Sequence, residues 1–426
     1  MLANSIQRLR VAFVLAPLAS ASTWIVDDDG GIGVHFTSIT AAVAAAGPGD
    51  VILVRAGSYT GFTLTYGASI VGDPGALITS AVTLSGLPAA PRATLAGLEL
   101  RTLRIESCST AVTIEDVLVA PLDTQLGTAP AMINVDQCTD VRLRAVDARI
   151  VGTSTNGRPA LRATQSRVEI VGCTLDGVDG KTCDWYYAGW AQPGGEGVVV
   201  RTSADVHVAR SSLSGGYGGD AQAVECQSNH AGDGKPGLRI DAGGSALVSG
   251  IATDSIAGGA QGLSNSCYYD GHPASGIVVD PAATLRISGA TVTAAQYVYP
   301  SCGGPVPPIV GTITQAVPDD PTLSFIGAQL PGQTLTFTVT GAPGDTAALL
   351  VGRKLTVVDV VNVVEDQLLL PLRTFDLGTL PASGTASFSI PVPASWVAGQ
   401  LLVAQGRTTS PLGAISLTHS LPITIR

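Results

Sequence analysis

The sequence predicts an all-β protein: a right-handed parallel β-helix with an N-terminal capping helix, followed by a small antiparallel β-sandwich. Three observations predict it. The 426 residues are 45% hydrophobic but only 5% aromatic and 13% charged, and 51 of them are glycine. The buried surface must therefore come mainly from Val, Leu, Ile and Ala, a mixture that favours strands and close backbone stacking over helices. A phrase also repeats at a fixed interval through the middle of the chain. Beyond residue 322 the texture changes to longer alternating strands separated by turn residues.

The chain opens MLANSIQRLRVAFVLAPLASAS. Arg8 and Arg10 precede a short apolar run from Val11 to Ala19, and Ala19-Ser20-Ala21 supplies a small-residue cleavage site, so residues 1–21 are predicted to be a secretory signal peptide. No later stretch has the length needed to span a bilayer, and the expected location is secreted or at the cell surface. Next, WIVDDDGGIGVHFTSITAAVAAAGPGDVILVRAGSYTGFTL offers a strand, a helix from about Thr37 to Ala46, and a second strand after Gly49-Asp50. Asp27, Asp28 and Asp29, followed by Gly30-Gly31, read as turn formers. Ca²⁺ held by their clustered carboxylates is the alternative; otherwise no cofactor or metal is expected.

The repeat is clearest at Gly197 (GVVVRTSADVHVARSSLSGG), Gly237 (GLRIDAGGSALVSGIATDSIAGG) and Gly276 (GIVVDPAATLRISGATVTAA), whose glycine starts lie 40 and 39 residues apart. A looser copy begins at Pro159. Each copy holds a short strand, a turn, a second alternating strand and a small-residue bend before a third. Self-similarity at this period marks a solenoid, because a strand triplet this short buries its inward face only when coils stack. The LxxLxLxxN register of leucine-rich repeats is missing, and propeller blades would need longer antiparallel strands.

The opening segment resembles that of pectin-lyase-like β-helix proteins, with Phe36, Ile39, Ala42, Val43, Gly49, Asp50, Gly57 and Tyr59 falling on the family's frame. The resemblance spans roughly Trp24 to Thr314 and implies a helix that caps the open end of the solenoid. It implies a fold rather than an activity. Gln222-Ala223-Val224 is similar to a fragment of the pectinesterase site, but the paired aspartates and arginine that should follow are missing. The aspartate pair, GHG and RIK of polygalacturonases are absent too. The expected organisation is thus a β-helix over 22–314, a linker over 315–321 and a β-sandwich over 322–426, similar to the C-terminal modules of many exported bacterial proteins.

A net charge of −10 argues against a nucleic-acid partner, since neutralising phosphates needs clustered Lys and Arg. An acidic polysaccharide would also be repelled unless bound Ca²⁺ or a local arginine cluster reversed the field. The long repeats carry insertions at corresponding places, predicted to stack on one face. They hold Trp185, Tyr186, Tyr187, Trp190, Tyr217, Tyr268 and Tyr269, a platform for an extracellular or cell-surface glycan. Lys181, Asp184, Glu196 and Lys235 lie among them. Asp220, Glu225, Asp233 and Asp270, with His230 and His272, are the candidates for a glycoside hydrolase's carboxyl pair or a polysaccharide lyase's base. A third reading is a surface or adhesive protein without chemistry. In an oxidising compartment Cys183, Cys226, Cys267 and Cys302 are expected to pair across neighbouring insertions and staple them, and Cys108 and Cys138 to bridge successive coils. Cys173 makes the count seven, so at least one thiol is left over.

Overall fold

The structure is a computed structural model that describes residues 21–121, 131–149, 157–183, 191–221, 230–249, 254–264, 271–288, 290–299, 303–313, 315–316, 321–352, 355–357, 367–369, 373–395, 401–409, 415–418 and 421–425. Almost all of its regular structure is strand, with one helix among the described residues. Two long parallel sheets, of eleven and sixteen strands, take the chain from Thr23 to Ala316, and small antiparallel sheets follow from Thr322. No helix among the described residues is long and apolar enough to cross a membrane.

The helix, Ile39–Ala45, starts where Ser38 accepts the Ala41 N–H on its hydroxyl (3.3 Å) and buries Ile39, Ala42 and Val43; a serine at this position satisfies one of the four orphan donors of the first turn. The motif residues around it each have a physical task. Asp50 accepts hydrogen bonds from Ser22 N–H, Gly47 N–H and Trp24 Nε1–H at 2.7, 2.9 and 3.0 Å, which holds its carboxyl below the usual range and joins the first strand, the helix exit and the second strand. Gly49 has φ 88°, open to a residue without a Cβ. Tyr59 is buried, donating from its hydroxyl to Arg55 O (3.0 Å) and accepting the Asp28 N–H (3.2 Å). A Cβ at Gly57 would overlap the Asp28 carboxylate.

Each coil contributes three strands. Val198–Val200, Asp205–Ala209 and Ser212–Ser214 pair in register with Leu238–Ile240, Ser245–Ser249 and Ser255–Ala257 of the next coil, so that Val198 lies against Leu238, Val206 against Ala246 and Leu213 against Ile256. The middle strand belongs to the eleven-stranded sheet and the other two to the sixteen-stranded one. Glu99–Glu106 explains why those two flanks count as one sheet: its beginning pairs with Leu118–Val119 and its end with Ile133–Asp136. Alternate side chains point inward and form one continuous core, in which Val198, Leu238 and Ile277 are fully buried. Identical pairing from coil to coil is what a period-2 pattern enforces, since a one-residue slip would turn every apolar side chain outward.

The chain turns from the first to the middle strand of a coil at residues in the left-handed region. Ser107, Gln137, Gln165 and Ser203 have φ of 55°, 53°, 47° and 57°, and each is followed by a small buried residue, Cys108, Cys138, Ser166 and Ala204. This column explains a correction. Cys108 and Cys138 do not bridge; with Cys173 they are free, buried thiols. The Cys138 thiol donates to the carbonyls of Asp136 (3.2 Å) and Ile105 (3.4 Å), and that of Cys108 to Glu106 O (3.4 Å). In the next coil the Ser166 hydroxyl takes the same place, donating to Thr164 O at 2.7 Å. The cysteines therefore act as small turn-capping donors, interchangeable in role with serine.

After the parallel sheets, Thr322–Ile326, Thr334–Thr340 and Thr385–Pro391 form a three-stranded antiparallel sheet. Arg373–Thr379, Thr346–Gly352, Leu401–Thr409, Ile415–Leu417 and Leu421–Thr424 form a five-stranded one, and Leu355–Val357 pairs with Gln367–Leu369. The two larger sheets share a core that includes Leu335 and Phe337 from one and Leu349, Val351, Leu402 and Ile423 from the other.

Candidate functional site

Every long insertion leaves the coil after the third strand and returns before the first strand of the next coil. The outgoing stems run over 177–183, 215–221 and 258–264, and the returning stems over 191–197, 230–237 and 271–276. None forms a strand, yet their backbones are bonded at every third residue. Among outgoing stems, Gly177, Gly180 and Cys183 donate to Ser214, Tyr217 and Asp220 at 2.8, 2.7 and 2.9 Å; Gly215, Gly218 and Ala221 donate to Ala257, Ala260 and Leu263 at 3.0, 2.9 and 2.8 Å. Among returning stems, Gly194 and Gly197 donate to Asp233 and Pro236. A three-residue hydrogen-bond repeat between extended segments is that of polyproline II helices, which have three residues per turn and no internal bonds.

The two layers of stems are joined by their own bonds. One series runs from Gly271 N–H to Gly262 O, Gly262 to Gly232, Gly232 to Gly219, Gly219 to Gln192 and Gln192 to Lys181, all at 2.8 to 3.2 Å. A second runs from Ala274 to Gly259, Lys235, Gly216, Gly195 and Val178, at 2.7 to 3.2 Å. Glycine is required here for space. None of the glycines in these stems has a positive φ, but a Cβ on Gly218 would overlap Gly232 O, one on Gly219 Lys181 O, and one on Gly262 Gly219 O. Six segments thus form a lattice held mainly by backbone hydrogen bonds, each bond polarising the next.

The lattice sorts the expected site residues. Gly215, Gly216, Gly218 and Gly219 are buried between the layers while Tyr217 is 58% exposed, so every third side chain of an outgoing stem points away from the interface. Asp220 stands on that side, accepting the Leu263 N–H on its carboxylate (2.7 Å) and donating its N–H to Thr182 Oγ1 (3.4 Å). Asp179, which sequence reasoning missed, accepts the Tyr217 N–H (2.8 Å), and burial raises its carboxyl above the usual range. On the returning layer, the opposite side, are His230, Asp233 and His272. Asp233 accepts the backbone N–H of His272 (2.8 Å), while the His272 ring pairs through Nδ1 with the Tyr297 hydroxyl (2.9 Å), so Asp233 meets the main chain of His272 and the ring takes another partner. Glu196 forms an ion pair with Arg239 (3.2 Å). Lys181 and Lys235 are half-buried.

Trp185, Tyr186, Tyr187, Trp190, Glu225, Tyr268, Tyr269 and Asp270 lie outside the described residues, as do Cys226, Cys267 and Cys302. Cys183 is disulfide-bonded, its partner also lying outside them. Along their described length the stems are also ordered by the hydrogen-bond lattice. Near the start of the chain, the carboxylates of Asp27, Asp28 and Asp29 lie within 4.8 Å of one another. Asp28 accepts the Ser58 N–H (2.8 Å) and Asp27 the Asp29 N–H (3.2 Å), so this group ties the turn to the next coil.

No protein-family model matches the chain, and no curated protein matches it in sequence.

Proposed function

We propose that this is an exported right-handed parallel β-helix, similar to pectin-lyase-like proteins and followed by a β-sandwich, that binds extracellular or cell-surface polysaccharide. The binding surface is formed by Trp185, Tyr186, Tyr187, Trp190, Tyr268 and Tyr269, with Tyr217 beside them. One observation carries this reading. The last described residues before the first two excursions are bonded to their neighbours, Cys183 N–H to Asp220 O and Ala221 N–H to Leu263 O, so three excursions depart from neighbouring points on one base, the first and third carrying the tryptophans and the tyrosine pair and the second contributing Tyr217 from its stem. Aromatic rings presented together suit the apolar faces of sugars, and a preorganised base lowers the entropy cost of binding.

The test is a glycan array followed by titration of tryptophan fluorescence, with Trp185→Ala and Trp190→Ala compared with the parent chain. Quenching by a neutral or charged glycan that weakens at least fivefold in either variant supports the reading; no glycan-dependent change in the parent chain overturns it. A second reading, glycan cleavage, is favoured by the hydrogen bond between the His272 ring and the Tyr297 hydroxyl, which sets side by side two kinds of side chain that serve in general acid–base catalysis. New reducing ends or unsaturated products that disappear in His272→Ala would establish it.

A further inference from the structure

A column of outward side chains crosses the flank of the solenoid that begins each coil. Arg104, Asn134 and Arg162 are register partners on three consecutive strands, and their inward neighbours Leu103, Ile105, Ile133, Val135, Leu161 and Ala163 are fully buried. All three therefore project from the same face, with the two arginine backbones two strand spacings, about 10 Å, apart. Asn134 is only 8% exposed. Arg104 and Arg162 are half-buried, and Arg162 Nε is shielded from solvent without a hydrogen-bond partner. Among the described residues none of these three side chains has a hydrogen-bond or ion-pair partner.

The next coils are different. Arg239 pairs with Asp241 (2.8 Å) and Glu196 (3.2 Å), and Arg201 with Asp241 (3.4 Å). Those guanidinium groups are neutralised, whereas Arg162 feels Arg201 as a like charge and loses affinity for its proton mainly through burial. Asp136 is the acid closest in effect, acting on Arg162 from a distance without an ion pair. A half-buried pair of cations flanking an unpartnered amide is costly in the free protein and complementary to a negative ligand group.

We propose that Arg104, Asn134 and Arg162 form an oxyanion subsite that takes a carboxylate or sulfate group of a charged saccharide. Guanidinium forks from both sides supply planar, bidentate donors, and the Asn134 amide supplies a third donor between them. The subsite reverses the repulsion that a chain of net charge −10 would otherwise exert on an acidic ligand. It rests on the glycan-binding reading for its ligand class but not for its geometry, since it lies on the sheet flank and uses none of the insertion aromatics.

Calorimetric titration of the full mature chain tests this with three hexasaccharides: one sulfated, one carrying glucuronate carboxylates, and one neutral. A sulfated or glucuronate chain is expected to bind at least tenfold more tightly than the neutral one and to weaken as salt rises. Arg104→Gln and Arg162→Gln should each cost at least fivefold in anionic affinity. Asn134→Asp, which places a carboxylate between the arginines, should abolish the preference while leaving the thermal midpoint equal or higher. Anionic binding unchanged in all three variants, or no preference over the neutral chain in the parent protein, overturns the subsite. Neutral binding that persists and is lost in Trp190→Ala would leave the insertion surface intact while the arginine column fails. Anionic binding lost only in the arginine variants would do the reverse.

Discussion

The wall of the parallel sheets and the glycine lattice are joined at every long repeat yet are built on opposite principles. In the wall, Val206, Ile170 and Val141 hold position because side chains fill space, each buried in one core. In the lattice, Gly195, Gly216 and Gly259 hold position because side chains are missing and carbonyl oxygens sit where a Cβ would be. The first region draws its stability from apolar area removed from water; the second draws it from bonds between peptide groups with almost no apolar surface to bury. Order outside the main core is made here largely by peptide hydrogen bonds, with only a small apolar cluster at Cys183, Ala191, Ala221 and Ala231.

This contrast breaks most visibly if the wall is hollowed. Ile170→Ala, at a fully buried position, should cost about 2 to 5 kcal/mol, read as a lower midpoint of denaturant unfolding, and should loosen the coils and the stems together. A smaller effect is expected from pH on the same wall. His207 lies in register between Glu169 and Leu247, and burial pushes its imidazole down to about 4, with Asp205 opposing and Arg167 reinforcing the shift. The unfolded chain therefore takes up a proton between pH 6.5 and 4 that the folded chain does not. Stability is full above pH 6.5 and falls by at most about 3 kcal/mol as pH drops through that window. His207→Gln should flatten the profile of thermal midpoint against pH.

In the lattice, Gly218→Ala adds one methyl group and should cost about 1 to 3 kcal/mol through overpacking. Its distinguishing readout is local: amide exchange should accelerate in 215–221 and 230–237 while the coil strands stay protected. If exchange rises uniformly, the lattice is no separate unit. The smallest effect concerns Asp50, which is half-buried. Hydrogen bonds from Gly47, Trp24 and Ser22 lower its carboxyl, so its contribution is present above about pH 4 and is lost as pH falls below that. Asp50→Asn should shift stability at pH 7 by less than about 1 kcal/mol, with the pH dependence near pH 4 reduced.

Alternating apolar residues made the coils readable. GVVVRTSADVHV specifies which face is inward, and the strands Val198–Val200 and Asp205–Ala209 lie within it. The helix was legible around Ile39, Ala42 and Val43, differing from the expected Thr37 to Ala46 only at its ends, while its N-cap, Ser38, was not singled out. The lattice escaped because GGYGGD has no hydrophobic period; its signal is glycine at two of every three positions, a repeat of three rather than two or 3.6. The arginine column escaped for another reason. Arg104, Asn134 and Arg162 sit 30 and 28 residues apart in sequence and become neighbours only once strand register is known. Likewise nothing local joins His272 to Tyr297.

The returning stems meet the next coil at Gly197, Gly237 and Gly276, the same glycines that open each repeat. Coil and stem therefore advance by one common step, and duplicating a single unit of about 40 residues would lengthen both without reshaping either. Such a molecule can change the number of its presented tips by whole increments, a form of growth open to gene duplication and to the protein engineer alike.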